Sequence, residues 1–467
     1  MTGTAETLDA VLDPASFERW PESSDSVVAG AGTVAGTRVA VLLGDYSVHG
    51  GSIGVEASGR LAGAIRRATA ERLPLLASPR SAGTRMQDGT RAFVGMLPIT
   101  AAVTAHRRAG LPYLVWLRDP VFGGVLASWG SQGHVTAAEP GARIGFLGPR
   151  VVEALRGAGM PAGVQTAENL HRNGLVDRVL PLAQLRGAVG KLLGLLDTTA
   201  EPAAVEPGCP AAEPVGEPDA ATAVARSRDP GRPGVRDVVA DAGLRIAELH
   251  GTGRGETGPA VLLALADLGG ARCVLIGQDR AAQADGHPVG PAELRVVRRG
   301  IALADELWLP IVTVVDSDGG ELSVRAEEGG LAAEVGGCLM DLTSVTCLKV
   351  AVLLGQGAGG TAIALLAADR VLAARHAWLA PLPPEGASTI LHGRPDRAPE
   401  MAAAQRIRAH DLARAGFVHR IVDERPDAAA EPQAFARRLV RAVGAELSAL
   451  RLQTEGSPTN MKRESIR

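Results

Sequence analysis

The sequence contains few of the residues that mark disulfide-rich, zinc-binding or nucleic-acid-binding proteins. Its 467 residues include four cysteines, at positions 209, 273, 338 and 347, and no two of them form a CxxC pair. This spacing argues against a zinc ribbon or a disulfide framework, so we expect no metal in this chain and a reducing compartment. Basic runs interleaved with aromatic residues are missing, and the formal net charge is -3. Nucleic acid is therefore not an expected partner.

Long apolar runs and recognisable targeting segments are absent as well. No uninterrupted apolar stretch approaches the length of a membrane span, and no basic segment followed by an apolar run opens the chain. We therefore expect a cytoplasmic protein that does not bind membranes. Aromatic residues make up only 3%, whereas glycine numbers 58 and hydrophobic residues reach 46%. This balance predicts sizeable cores of alanine, valine and leucine with many close backbone approaches.

One stretch of the chain occurs twice. Residues 111–149 have the pattern of a buried strand, a tight turn, a Gly-Gly pair that opens a helix, and a second strand. A shift of about 236 positions places Gly123 and Gly124 on Gly359 and Gly360, and the same shift aligns the chain from about residue 73 to residue 149. A constant register over that length predicts two copies of one domain. Strands alternate with helical segments in both copies, as in βαβ units.

The composition changes between the two copies. Residues 197–232 are rich in proline, alanine and glutamate and contain few large apolar residues, which predicts a semi-stiff linker. We therefore predict an N-terminal domain over 1–196, a C-terminal domain over 233–450 and a flexible tail over 451–467. In the C-terminal domain, helices are expected from residue 234 to 250 and from 326 to 342.

The two Gly-Gly turns are the candidate chemical groups. A strand that delivers glycines to a helix start leaves unpaired N–H groups at the positive end of the helix dipole. Such donors can hold an oxygen that gains negative charge during a reaction, and glycine lets the substrate approach the backbone. In the first copy the donors would come from Gly123, Gly124 and the loop at 82–83. A packing turn is the alternative, and GQGAGG at 355–360 lacks the lysine of a phosphate-binding loop.

Longer motifs around these turns resemble a known enzyme family. The first half resembles the β subunit of acetyl-CoA carboxylase carboxyltransferase, and the second half is similar to the α subunit; together the resemblance covers roughly 13–196 and 226–425. The β-like motifs are DPASFE at 13–18, GGSIG at 50–54, AGTRMQDG at 82–89, VFGGVLASWG at 121–130 and AEPGARIGFLGPRVVE at 138–153. The α-like motifs are RDPGRP at 228–233, GQGAGGTAIA at 355–364, ADRVL at 368–372 and PPEGASTIL at 383–391.

The resemblance implies both a fold and a reaction. The fold would be α/β, with two tandem crotonase-like (ClpP/crotonase) ββα-spiral domains joined by the Pro/Ala-rich linker. The protein would be the carboxyltransferase component of a biotin-dependent acyl-CoA carboxylase. It would move CO2 from carboxybiotin to the α-carbon of acetyl- or propionyl-CoA, a step that supplies malonyl-CoA to fatty acid biosynthesis. Biotin would arrive on a separate carrier protein, a biotin carboxylase would act in trans, and the chain would form a homo-oligomer, from dimer to hexamer, with the active site shared between protomers.

The resemblance also implies roles for individual residues. One backbone pair would hold the thioester oxygen as an enolate, and the other would hold the biotin ureido oxygen, so no side-chain nucleophile is needed. The catalytic pairs would be Gly123 with Gly124 and Gly360 with Thr361, and the substrate-binding residues beside them would be Ala82, Gly83, Arg85 and Gly359. For Arg85 a purely structural ion pair is the alternative to anion binding.

Three features depart from the family pattern. The zinc ribbon of many β subunits is missing. The GHQKGR loop of the α subunit is GQDR at 277–280, without its lysine, and the DTPGAYPG turn is DSDGGELS at 316–323. These changes leave open an altered acyl substrate, a biotin-independent decarboxylase of malonyl-type thioesters, or a non-catalytic partner subunit.

Overall fold

The computed structural model describes residues 3–197 and 216–454. The chain divides into two compact units. Unit 1 comprises Met1–Leu196 together with Leu249–Thr257, and unit 2 comprises Asp197–Glu248 together with Gly258–Arg467. Of the helices within the described ranges, none combines the length and the apolar character that crossing a bilayer requires.

Unit 1 contains a seven-stranded sheet and a separate two-stranded ribbon. Its strands are β1 Glu18–Arg19, β2 Val27–Val34, β3 Thr37–Gly44, β4 Leu75–Ser78, β5 Tyr113–Leu117, β6 Val121–Phe122, β7 Val135–Ala138, β8 Ile144–Gly145 and β9 Arg178–Val179. The order in the sheet is β1-β2-β3-β4-β5-β7-β9, and β6 pairs with β8. The pairs β1–β2 and β2–β3 are antiparallel, whereas the strands from β3 to β9 run parallel.

Helices surround this sheet. They are α1 Thr4–Val11, α2 Val55–Ala70, α3 Gly89–Val94, α4 Met96–Arg108, α5 Gly123–Val125, α6 Pro149–Arg156, α7 Ala167–Arg172 and α8 Leu182–Leu196. A π-helical turn, Leu126–Gly130, follows α5, and single 3-10 turns occupy His49–Gly51 and Met86–Asp88. Helix α2 buries Leu61, Ala64, Ile65 and Ala68, the three-to-four-residue spacing of an amphipathic helix.

The core of unit 1 confirms the composition-based prediction. Alanine, valine and leucine supply most of its buried side chains, and parallel strands that are buried on both faces favour apolar residues along their whole length. Three large aromatic side chains, Tyr113, Trp116 and Trp129, are fully buried as well. The Tyr113 hydroxyl donates to the Trp129 carbonyl at 2.5 Å, so strand β5 is tied to the π-helical turn.

A segment from the second half of the chain completes unit 1. Residues 249–257 pack against the loop around Gly174, where Gly253 N–H donates to the Gly174 carbonyl at 2.8 Å. The His250 N–H donates to Asp177 Oδ1 at 3.0 Å. Gly174 has φ +65°, and a Cβ there would lie 2.1 Å from the Glu256 carbonyl oxygen. This close packing explains why the segment belongs to unit 1 although the chain has already entered unit 2.

Unit 2 repeats the same strand order. Its strands are β10 Arg245–Leu249, β11 Val261–Leu268, β12 Ala271–Gln278, β13 Ile311–Ser317, β14 Lys349–Ala358, β15 Arg370–Ala374, β16 Trp378–Ala380 and β17 Arg420–Val422. The order is β10-β11-β12-β13-β14-β15-β17, with β16 paired to the end of β14. Register repeats too, because Leu75 pairs with Tyr113 in unit 1 and Ile311 pairs with Lys349 in unit 2.

The helices of unit 2 differ from the sequence prediction at two places. They are α9 Ala220–Ser227, α10 Val235–Asp241, α11 Arg280–Ala284, α12 Pro291–Leu307, α13 Val324–Glu328, α14 Leu331–Ser344, α15 Gly359–Ile363, α16 Pro384–His392, α17 Ala398–Ala404, α18 Ala409–Arg414 and α19 Pro432–Thr454, with a 3-10 turn at Pro395–Arg397. The helix predicted over 234–250 ends early because the chain turns at Gly243, at φ +64°, and continues as β10. The helix predicted over 326–342 is two helices, since Gly330 adopts φ +82°.

Part of the predicted linker is folded. Residues 198–215 lie outside the described residues, but residues 216–232 include α9 and belong to unit 2. Asp219 accepts the Thr222 N–H at 2.7 Å and so caps that helix. Arg228 then forms a bidentate ion pair with Glu385, at 2.7 and 3.0 Å. These partners lie far along the chain, which is why composition alone assigned this stretch to the linker.

Two glycine turns as candidate functional sites

The first glycine turn, Gly123 and Gly124, follows the buried strands β5 and β6. Gly123 adopts φ +61°, a left-handed conformation that favours glycine. Gly124 is the second residue of α5, so its N–H has no acceptor inside the helix. A Cβ on Gly124 would lie 3.0 Å from Thr84 Oγ1 and 3.2 Å from Met96 Cγ. Position 123 therefore favours glycine for its dihedral angle, and a side chain on Gly124 would need Thr84 and Met96 to shift by a few tenths of an ångström.

A serine-containing loop faces this turn. This first serine loop comprises residues 81–83, and a Cβ on Gly123 would lie 3.8 Å from the Gly83 Cα. The Gly83 N–H donates to Ser81 Oγ at 3.0 Å, and the Ser81 hydroxyl donates to the Gly83 carbonyl at 3.1 Å. The Ala82 N–H donates to the Gly50 carbonyl at 2.8 Å. Because both loop amides already have acceptors in the protein, the geometry favours the glycine turn over the loop as the source of donors.

Arg85, two residues after Gly83, is engaged within the protein. Its Nη2 donates to Asp25 Oδ2 at 3.2 Å and to the Ser52 carbonyl at 3.1 Å. Partial burial raises the pKa of Asp25, but the attraction to Arg85 and hydrogen bonds outweigh it and leave the pKa below its ordinary value. These contacts favour the structural alternative for Arg85, in which it fixes the loop rather than binding an anion.

The second glycine turn, Gly359 and Gly360, has the same construction. It follows strand β14, which is buried along most of its length. Gly359 adopts φ +70°, and Gly360 is the second residue of α15. A Cβ on Gly360 would meet only the Val335 methyl carbons, at 3.5 and 3.6 Å. The space in front of Gly360 is thus less crowded by protein atoms than that in front of Gly124.

A second serine loop, residues 317–319, repeats the first. The Gly319 N–H donates to Ser317 Oγ at 3.2 Å, and the Ser317 hydroxyl donates to the Gly319 carbonyl at 2.9 Å. Gly319 adopts φ +139° and Gly83 adopts φ +119°. The next residue, Gly320, approaches Thr361, since a Cβ on it would lie 3.1 Å from Thr361 Cγ2. Sequence reasoning missed this loop, although the offset that relates Gly123 to Gly359 also relates Gly83 to Gly319.

Thr361 points its side chain into the protein. It is 1% exposed, and its Oγ1 has no hydrogen-bond partner. Its carbonyl accepts the Gln278 side-chain amide at 2.9 Å. Any contact that Thr361 makes with a bound molecule would therefore use its main chain.

The two segments that depart from the family pattern lie beside the second turn. Asp316 is fully buried, and burial raises its pKa despite the nearby guanidinium of Arg280. Its Oδ1 accepts the Gln356 N–H at 3.0 Å, and its Oδ2 lies 3.6 Å from Arg280 Nη1. Both loops are thus folded into one polar network. In the described residues, no group of three or more His, Cys, Asp or Glu side chains could hold a metal ion.

Comparisons with known proteins identify relatives of the chain. Residues 11–457 match the carboxyl transferase domain family model. The chain is 53% identical over 471 residues to the "Probable biotin-dependent acyl-coenzyme A carboxylase beta3 subunit" of Mycobacterium tuberculosis H37Rv, covering 96% of this chain and 94% of that protein. It is 38% identical over 440 residues to "Acetyl-coenzyme A carboxylase carboxyl transferase subunits beta/alpha" of Salinispora tropica, covering 90% of this chain and 76% of that protein.

A solved structure shares the fold. The transcarboxylase 12S structure with methylmalonyl-coenzyme A and methylmalonic acid bound superposes with a TM-score of 0.78 at 22% identity. The match covers 96% of this chain and 90% of that chain. The mixed α/β architecture is therefore that of transcarboxylase 12S.

Proposed function

The chain belongs to the carboxyl transferase domain family and is the carboxyltransferase of a biotin-dependent acyl-CoA carboxylase, and we propose that its acceptor is a short acyl-CoA, acetyl- or propionyl-CoA. One observation supports the residue assignment most directly. Each unit presents a helix start with two glycines at the end of a buried strand, beside a serine loop of the same geometry. Two such turns suit a reaction in which two different carbonyl oxygens must be held.

The first glycine turn would bind the acyl thioester. Removing the α-proton places negative charge on the thioester oxygen, and the N–H groups of Gly123 and Gly124 would stabilise that charge. Preorganised backbone donors of this kind are worth ~10²–10³-fold in rate each. Gly83 borders the first turn and has no side chain, so it would not obstruct the bound thioester. Ala82 lies in the same loop, and Arg85 would hold that loop through Asp25.

The second glycine turn would bind biotin. A ureido oxygen is a hydrogen-bond acceptor, and the turn provides main-chain N–H donors at Gly360 and Thr361 with no side chain on Gly359 or Gly360 to obstruct it. A Cβ at Gly360 would make only ordinary contacts, with Val335 at 3.5 and 3.6 Å, whereas one at Gly124 would be crowded, which favours the second turn for the bulkier ring. When bound, biotin supplies the carboxyl group and then a base for the α-proton. The N–H groups of Gly360 and Thr361 would hydrogen-bond the ureido oxygen of biotin while negative charge develops on it.

The partners follow from the same proposal. Biotin is carried by a separate protein, a biotin carboxylase loads it, and the chain itself forms a homo-oligomer. Each unit exposes apolar side chains on a helix, Leu155 on α6 and Ile390 on α16, and exposed apolar surface of this kind supports an oligomer. The thiols of Cys273 and Cys338 are buried and form no disulfide, which supports a reducing compartment, and we propose that this compartment is the cytoplasm.

Two finer points complete the proposal. Each unit would be a crotonase-like ββα-spiral domain, which the shared strand order of the two sheets supports, with the chain between Asp197 and Gly216 as the connection. With acetyl-CoA as acceptor the product would be malonyl-CoA, the building block of fatty acid biosynthesis.

The reverse reaction provides the test. Purified protein is incubated with malonyl-CoA or methylmalonyl-CoA, each with and without free biotin, and loss of the carboxylate is followed. We expect loss that depends on biotin, and the faster thioester identifies the acyl group. Loss without biotin would instead indicate a decarboxylase. No loss under either condition, with acyl-CoA binding retained, would indicate a non-catalytic partner subunit.

A further inference from the structure

One buried side chain joins two segments of unit 2 that border the second glycine turn. Gln278, the last residue of β12, is fully buried. Its Nε2 donates to the Thr361 carbonyl at 2.9 Å, and its Oε1 accepts the Asp316 N–H at 3.0 Å. Both ends of the amide are therefore used, and each is bonded to main chain.

The two bonded residues have a specific place relative to the turn. Thr361 follows Gly360 directly, on the first turn of α15. Asp316 immediately precedes the second serine loop, residues 317–319. A single side chain thus fixes the helix start on one side and the loop on the other, and it does so from within the protein.

Asp316 extends this connection to the strand that carries the turn. Its Oδ1 accepts the Gln356 N–H at 3.0 Å, and a Cβ on Gly355 would lie 2.5 Å from that same oxygen. Gln356 lies three residues before Gly359. Gln278 is therefore connected to the second turn in two ways. It bonds Thr361 of helix α15 directly, and through Asp316 it is linked to Gln356 of strand β14.

The first turn has no such amide. Val27 pairs with Gly44 in the β2–β3 hairpin of unit 1, and Val261 pairs with Gln278 in the β11–β12 hairpin of unit 2. Gly44 is therefore the counterpart of Gln278, and it has no side chain. There the buried Arg118 guanidinium donates to the carbonyls of Gly44 and Ser78, at 2.5 and 3.1 Å. The amide connection is thus specific to unit 2, where the proposed biotin turn lies.

We propose that Gln278 is a positioning residue for the biotin side of the reaction. It sets the separation between the start of α15 and the second serine loop, and so the direction of the donors at Gly360 and Thr361. This inference rests on the proposed function, in which the second turn binds biotin. It also assigns a role to the altered loops at 277–280 and 316–323, since Gln278 and Asp316 are the residues that they contribute.

The test uses the full chain with malonyl-CoA as carboxyl donor and free biotin as acceptor. The variant Q278L keeps the side-chain volume but loses both hydrogen bonds, and Q278N keeps the amide but is too short to reach both partners. The matched control is Q283L, because Gln283 Nε2 donates to the Asp316 carbonyl at 3.0 Å, whereas Gln278 joins Asp316 to Thr361. Each protein is assayed for kcat and for the KM of both substrates, and its Tm is recorded.

We expect Q278L and Q278N to lower kcat/KM for biotin by about 10- to 100-fold, because small misplacements of catalytic groups have effects of that size. The KM for malonyl-CoA should stay unchanged, and Q283L should behave as the wild type. Wild-type kinetics in Q278N, or an equal rise in both KM values, would overturn the proposal. If Q278L fails to fold, Q278N decides alone. A wild-type protein that shows no biotin-dependent transfer would refute the proposed function itself, which separates the two failures.

Discussion

The hydroxyl groups of Ser81 and Ser317 make the same pair of hydrogen bonds in two different units. Each accepts the N–H of the glycine two residues later and donates to the carbonyl of that glycine, with all four distances between 2.9 and 3.2 Å. Each serine is also paired through its backbone with the strand that leads to the glycine turn, Ser81 with Val121 and Ser317 with Gly357. The duplication is therefore preserved down to individual hydrogen bonds beside the proposed site.

Removing either hydroxyl should impair the half of the reaction that its unit serves. We expect S81A to raise the KM for malonyl-CoA and S317A to raise the KM for biotin, because each loop would lose the contact that fixes its glycine. The loss of stability should be ~1 kcal/mol, the usual net value of such a bond. Steady-state kinetics with each substrate varied in turn measures the effect. S81T and S317T retain a hydroxyl and should restore activity, and no recovery in these variants would contradict the assignment.

The two turns should respond differently to an added methyl group. G124A places a Cβ 3.0 Å from Thr84 Oγ1 and 3.2 Å from Met96 Cγ, whereas G360A meets only Val335 at 3.5 Å or more. We expect both variants to lower kcat by ~10²-fold or more through obstruction of the donors. Only G124A should also lower Tm. Thermal unfolding and transfer assays on the same preparations test this, and full activity in the stable G360A variant would refute a role for the second turn.

A buried ion pair in unit 2 should make stability depend on pH. Arg232 and Glu424 have fully buried side chains joined at 2.7 and 2.8 Å, and His376 Nδ1 lies 2.7 Å from the same carboxylate. Burial alone would raise the pKa of Glu424, but its bonds to Arg232 and His376 outweigh burial and hold the pKa far below the ordinary 4.5. A depressed pKa contributes stability that is complete above pH 4.5 and is lost as the pH falls below it.

The variant E424Q isolates this contribution. It leaves Arg232 buried without its carboxylate, so we expect unit 2 to lose ~3–5 kcal/mol of unfolding free energy at pH 7. The difference between wild type and variant should shrink on going from pH 7 to pH 4. Urea unfolding followed at both pH values measures it. A difference that stays constant over this range would show that Glu424 does not titrate as described.

The exposed apolar helices should be needed for self-association. Leu155 on α6 is 74% exposed and Ile390 on α16 is 71% exposed. We expect L155D and I390D to lower the molar mass measured by light scattering, because a charge in an apolar interface is costly to bury. The control is L452D on α19, where Leu452 is exposed to the same degree, at 72%. An unchanged mass in both L155D and I390D would place the interface elsewhere.

The sequence predicts well those elements whose conformation is set by residues close together in the chain. The strand before each turn, the Gly-Gly helix start and the Ala/Val/Leu cores all follow from periodicity and from the conformational needs of glycine. The fixed offset between Gly123 and Gly359 predicted the duplication, and the two sheets share one strand order. Residues 216–232 were misassigned to the linker because the side-chain partners of Arg226, Arg228 and Arg232 lie more than 120 positions away in the sequence.

The residues that sequence reasoning missed are joined by long-range contacts. Gln278 meets Thr361 and Asp316 only because three strands end together, and no spacing in the chain predicts that meeting. In the 277–280 loop, the motif comparison noted only the missing lysine. Gln278 of the same loop makes the contacts with Thr361 and Asp316. Arg85 shows the opposite case, since its position beside the loop suggested a ligand and its partner Asp25 became visible only in three dimensions.

The placement of residues 249–257 has a consequence for gene organisation. The peptide chain passes between the units three times, after residues 196, 248 and 257, so a gene divided within 198–215 would encode two polypeptides that each hold part of unit 1. The second polypeptide would carry the nine residues that pack around Gly174. Unit 1 would then be complete only when the two polypeptides bind each other. A split gene and a fused gene would therefore give the same tertiary contacts, and the two products of the split gene would associate through residues 249–257.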